Sequence, residues 1–198
     1  VGSVTAHNFR DVSKIMTKNI KYQDVLNFWF TEIAPASWFK KDAEFDAALK
    51  SRCGKAVSDA LAGRLDHWAD NADGCLALII LLDQFTRNIF RQSARAFSGD
   101  EMALALSLRC VDRGYLDTAK VSHCHFMLMP MMHSEDLEIQ VSSLPLFKKY
   151  TEKRTYEYAV RHRVVIARFG RFPHRNEALG RPATDDEKVF LTEPGSSF

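Results

Sequence analysis

Asp83, Arg87 and Arg91 recur every four residues, with Gln84 and Asn88 beside them. On a helix this spacing stacks a carboxylate and two guanidinium groups on one face. Residues 75–82 just before them are apolar all the way round, the pattern of a helix buried by its neighbours. Charged side chains at the end of such a helix are costly unless each finds a partner. They therefore either close an internal ion network or line a polar pocket.

Three further clusters carry the same kinds of group. His133, Asp136 and Gln140 fall within about 60° of one another at 100° per helical residue, so Asp136 is placed to fix the His133 tautomer and raise its basicity. The alternative is that His133 and Ser134 cap a helix whose dipole Asp136 complements. His162 lies on an apolar stripe with Tyr158, Val165, Ile166 and Phe169, where a hydrogen-bonded core role competes with a functional one. Arg161 and Arg168 share another face with Glu157, which suits surface ion pairing.

The loop 169–176 is the least ordinary in the chain. Gly170 permits a left-handed helix ending, and Pro173 stiffens the residues after it. Arg171, His174, Arg175 and Asn176 are then donors on a rigid element, fit to receive a phosphate or carboxylate or to bridge helix ends. His123 and His125 add metal-ligand types. They point about 200° apart on a helix, however, and no HExxH or paired CxxC spacing is present, so neither metal nor cofactor is expected. Gly-rich phosphate loops and the GxSxG elbow are absent as well.

The elements that must position these groups read as helices throughout, with no alternating strand pattern. The pattern predicts helices over 22–32, from an Asp42 cap to Gly63, and from an Asp73 cap through the polar stripe. Ser98 to Glu101 has the form of a capping box opening a helix that closes at Gly114. Further helices are expected over 122–129, from Ser134 with a kink or break at Pro145, over 155–169, and from a second box at Thr184 to Glu187 up to Leu191. Residues 65–72 form a short turn-rich piece. The expected fold is all-α, about eight helices in antiparallel pairs, with residues 1–20 as an N-terminal extension and 21–198 as one domain.

The composition is that of a globular chain: 198 residues, 46% hydrophobic and 26% charged. No apolar run approaches the roughly 18 residues of a membrane span, and residues 1–16 hold no signal-peptide core. Four widely spaced cysteines suggest free thiols in a reducing cytoplasm. The net charge of +2 hides an asymmetry: residues 148–181 carry ten Lys or Arg against three Glu. That stretch either neutralises acidic neighbours or meets an anionic partner; nucleic acid ranks lower because no recognition motif accompanies the charge.

LLDQFTRNIFR (81–91), HSEDLEIQ (133–140) and FGRFPHRN (169–176) resemble the signatures of the bacterial domain-of-unknown-function family 924. WF at 38–39 with the following DAEFD, RAF at 95–97 and the terminal EPGSSF are similar to it too, over about residues 22–198. The resemblance implies a tetratricopeptide-like right-handed helical array and no established activity. It implies polar motif positions at Asp83, Gln84, Arg87, Asn88, Arg91, His133, Glu135, Asp136, Gln140, Arg168, Arg171, His174, Arg175 and Asn176. Thr86 stands where the family commonly has Pro, and Met131, Met132 and Pro145 are atypical.

Two functions are expected from these residues. In the first, the clusters converge on a small-molecule site: Asp83 or Asp136 orients His133 or His174 as acid or base. Arg87, Arg91 and Arg175 hold a small anionic molecule there, assisted by Gln84, Asn88, Gln140, Arg168, Arg171 and Asn176. In the second, the same residues are structural ion networks in a scaffold that binds a peptide or protein.

Overall fold

In the computed structural model, which describes residues 20–196, the chain is all helical, with no strand among the described residues. The expected extension over 1–20 lies outside the described residues except for Ile20, as do the last two residues of the EPGSSF motif. Helix α1 (Tyr22–Asn27) continues into a π turn at Phe28–Glu32. Asp42 caps α2 (Ala43–Leu61) by accepting from the Glu44 and Phe45 amides, as its position before an apolar-periodic run requires. After a 3₁₀ turn at Asp66–Asp70 comes the central rod, made of α3 (Ala72–Ile79), a π turn (Ile80–Phe85) and α4 (Thr86–Ile89).

Every residue from Gly74 to Phe85 on that rod is buried. Helix α3 packs against α1, α5 (Asp100–Asp112) and α6 (Val121–His133). Helix α6 then packs on α7 (Leu137–Tyr150), and α7 on α8 (Lys153–Phe169), each joined by a short link. From α5 to α8, consecutive helices thus pair along the chain, whereas α1 packs on α3 and α2 on α4. The short α9 (Asp185–Leu191) closes the described fold. No helix of the described residues is long and apolar enough to cross a membrane.

Several helix ends differ from the sequence expectation, each for a local reason. Asn71, not Asp73, caps α3 by accepting from the Gly74 amide. The expected box at Ser98 does not form: the Ser98 hydroxyl donates to the Arg95 carbonyl, and Gly99 becomes the N-cap. A Cβ at Gly99 would collide with the Leu82 carbonyl, so glycine lets the start of α5 sit directly on the π turn. Helix α6 runs on through Pro130 to His133. Helix α7 likewise runs on through Pro145, and the carbonyl that this proline leaves without its helical donor, that of Val141, belongs to a residue 52% exposed. The box at Thr184 and Glu187 forms as expected.

Candidate functional site

The π turn carries Asp83 and Gln84 into the interior. A π turn widens the helix and displaces its hydrogen-bond ladder, and such turns are frequent at functional sites. Here side chains meet the displaced carbonyls. Thr86 Oγ1 donates to the Leu82 carbonyl at 2.7 Å, and Arg87 Nη1 to that of Asp83 at 2.7 Å.

Asp83 is fully buried, with both carboxylate oxygens engaged. Oδ1 lies 2.7 Å from His133 Nδ1 and 2.9 Å from Arg87 Nη1, and Oδ2 accepts from Gln84 Nε2. Arg87 also donates to Asp100 Oδ2 at 3.0 Å. Asp100 in turn accepts from Arg175 Nη1 at 3.1 Å, while Arg175 Nη2 donates to the His133 carbonyl at 2.8 Å. The Arg175 guanidinium lies between Phe97 and Phe172, 4.8 and 4.7 Å from their ring centres. Three remote segments therefore meet through Asp83, Arg87, His133 and Arg175, with Asp100 as the bridge.

The charges follow from this packing. Burial opposes ionisation of Asp83, but the Arg87 charge and the hydrogen bonds to His133 and Gln84 outweigh it and hold the carboxyl well below the ordinary range. Burial, with the Arg87 and Arg175 charges, lowers the His133 pKa against the pull of Asp83, so its imidazole is neutral at pH 7. An ionised Asp83 has no proton to give, so Nδ1 carries the hydrogen of the 2.7 Å bond. The lone pair is left on Nε2, and no hydrogen bond from the described residues reaches that atom. Burial also pushes His162 and His174 down to about 3 and Arg175 down to about 10. The His162 ring is 6.3 Å from that of His133. Asp83, His133 and Arg175 border a cleft of about 250 Å³ with Asp100, Pro130 and Glu135.

The remaining candidates are placed elsewhere. Helix α4 ends at Ile89, so Arg91 leaves the stripe expected for it and pairs with Asp46 of α2 at 2.7 Å, where Asn88 joins it at 2.8 Å. Asp136 does not meet His133. It is the exposed N-cap of α7, accepting from the Glu138 and Ile139 amides at 2.7 and 3.2 Å, because the helical path is interrupted between α6 and α7. Gln140 donates to the Met132 and Ser134 carbonyls at 2.6 and 2.8 Å, tying the end of α6. Arg171 grips Glu187 at 2.6 and 2.8 Å, and Asn176 donates to the same carboxylate at 3.2 Å. Arg168 stacks on Phe169, 4.6 Å from its ring centre, beside a separate groove of about 410 Å³. His174 sits with its ring 5.5 Å from Phe172.

Sequence reasoning missed Asp46 and Asp100 as the counter-ions of the arginines. Both lie in the first turn of a helix, where a dipole role accounts for them equally well. A further counter-ion of the basic stretch is Glu135, which takes both terminal nitrogens of Arg181 at 2.6 and 3.0 Å and the Phe172 amide at 2.8 Å. Its signal was present only in the family resemblance. The arginines expected to receive an anion thus already hold protein carboxylates. Among the described residues, no three His, Cys, Asp or Glu side chains are grouped to hold a metal ion.

A family model described as bacterial protein of unknown function (DUF924) matches residues 25–195. The structure is similar to that of a protein of unknown function, ATU0120 from Agrobacterium tumefaciens, with a TM-score of 0.81 and 34% identity, over 86% of this chain and 96% of that one. Among curated proteins, none matches the chain.

Proposed function

The chain belongs to the bacterial DUF924 family of unknown function, and on that footing we propose that the cleft beside the π turn binds a small polar molecule on which His133 acts as general base. The observation that carries this reading is the pairing of His133 Nδ1 with a fully buried, ionised Asp83 at 2.7 Å. That bond selects the tautomer with a free Nε2 lone pair and stabilises the imidazolium formed when Nε2 takes a proton. A neutral imidazole in a cleft of about 250 Å³ is matched to a hydroxyl, a bound water or an acidic C–H of a compact substrate.

The saturation of the arginines favours a ligand that is neutral overall above the anion suggested by residue types. Arg87 and Arg175 contribute by fixing Asp100 and the end of α6, which sets the position of the His133 ring. The same saturation supports a second reading, in which the cluster is a structural network and the protein a scaffold for a peptide or protein.

A thermal-shift screen of neutral and charged metabolites on the native protein and on His133→Gln separates them. Glutamine retains a donor toward Asp83 but has no lone pair of comparable basicity. At a hundredfold excess over Kd a ligand stabilises by about 2.7 kcal/mol, or roughly 5–10 °C for a chain of this length. The catalytic-site reading expects a compound that shifts the native protein and fails on the variant. If no compound distinguishes the two, the scaffold reading stands.

A further inference from the structure

Glu101 is the carboxylate of the cleft that the protein leaves unanswered. It stands in the first turn of α5 and lines the cleft together with Leu104, Pro130 and His133. The other carboxylates bordering the cleft are all held by arginines: Asp83 by Arg87, Asp100 by Arg87 and Arg175, and Glu135 by Arg181. The Glu101 side chain is exposed, and among the described residues no donor or cation is bonded to it.

The cleft therefore carries an uncompensated negative charge. Four carboxylates are met by three guanidinium groups, and the His133 imidazole is neutral. The dipole of α5 supplies only about half a unit charge at its N-terminus. It acts on Asp100 as well, so it does not cancel the excess. Saturated arginines weigh against an anionic ligand but do not choose between a neutral one and a cation. Glu101 makes that choice.

We propose that the cleft selects a compact hydroxyl-bearing amine, bound as its ammonium ion. This rests on the reading of the cleft as a ligand site with His133 as its base. The ammonium pairs with Glu101, where charge-assisted hydrogen bonds replace part of its hydration. Leu104 and Pro130 offer an apolar wall to the short aliphatic stretch that follows. The hydroxyl donates to His133 Nε2, the lone pair that the Asp83 bond leaves outward. Glu101 is then the residue that determines specificity, and it takes no part in proton transfer.

NMR titration of the native full chain with ethanolamine, aminopropanol and aminobutanol tests this, against the diols and hydroxy acids of the same lengths. At least one amino alcohol should shift the amide signals of residues 101–104 and 131–134 saturably, and bind about tenfold more tightly than its diol or hydroxy acid. Glu101→Gln should remove that preference and leave diol binding unchanged. Glu138→Gln removes an exposed first-turn carboxylate of α7 outside the cleft, and should leave the preference intact. A diol or hydroxy acid that binds as well as the amine would overturn the proposal. So would an amine affinity unaltered in Glu101→Gln, or lowered equally in Glu138→Gln, which would mark general charge attraction. Diol binding that is lost in His133→Gln would leave the general-base reading standing even then. If no amino alcohol gives a saturable shift, the amine assignment falls, and the metabolite screen decides the fate of the base separately.

Discussion

Asp83 is ionised with no access to water, so its neighbours carry the whole burden of its charge. Asp83→Asn keeps the shape and removes the charge that Arg87 and His133 answer. Breaking one side of a buried pair costs about 3–5 kcal/mol; Asn retains hydrogen bonds, so the low end applies, and melting should fall by roughly 6–12 °C. The same change should lower the His133 pKa further and free its tautomer, which ¹⁵N chemical shifts of the imidazole would report. Asp136→Ala is the contrast. It removes an exposed N-cap worth about 1 kcal/mol and should leave the His133 shifts unchanged. A shift change in that variant would restore the His133 and Asp136 pair expected from their spacing. Residue types alone supported both pairings. What decided between them was an interruption of the helix at 134–136 that a 3.6-residue period does not reveal.

At the scale of the element, the π turn does the positioning, and its backbone is crowded by α5. Gly99→Ala places a methyl group against the Leu82 carbonyl. Relief requires α5 to move, which would carry Asp100 away from Arg87 and Arg175. Overpacking of this kind costs about 1–3 kcal/mol. The expected signature is lower stability together with amide chemical-shift changes running through residues 80–88; a loss confined to α5 would refute the link. The helices, their approximate order and the buried character of the central rod were all legible from apolar periodicity. The π turn was not, because one displaced hydrogen bond leaves the hydrophobic pattern almost intact. Likewise the stripe of Asp83, Arg87 and Arg91 assumed a helix that continues, whereas α4 stops at Ile89 and sends Arg91 to Asp46.

Across the whole molecule, the basic stretch over 148–181 is answered in part from outside it. Glu135 binds Arg181, Glu187 binds Arg171, and Asp100 binds Arg175. Folding therefore brings segments remote in the chain together by charge, and at the same time seals imidazoles among them. Burial is the main cause holding His125 near 4 and His162 and His174 near 3, with His133 lowered as well. An unfolded histidine titrates near 6.5. Above that pH the imidazoles are neutral in both states and contribute nothing to the pH dependence. As pH falls below it, the unfolded chain takes up protons that the folded protein refuses until pH 3–4, so stability drops with falling pH. With three such groups fully engaged the slope reaches at most about 4 kcal/mol per pH unit. Urea midpoints measured between about pH 7 and pH 5 should therefore fall steeply, well above the range where Asp83 and Glu187 protonate. His162→Gln should flatten the curve by the share of one proton. A midpoint that stays level down to pH 5 would mean that these imidazoles reach water in the folded protein, and that the sealed setting that keeps His133 neutral does not exist.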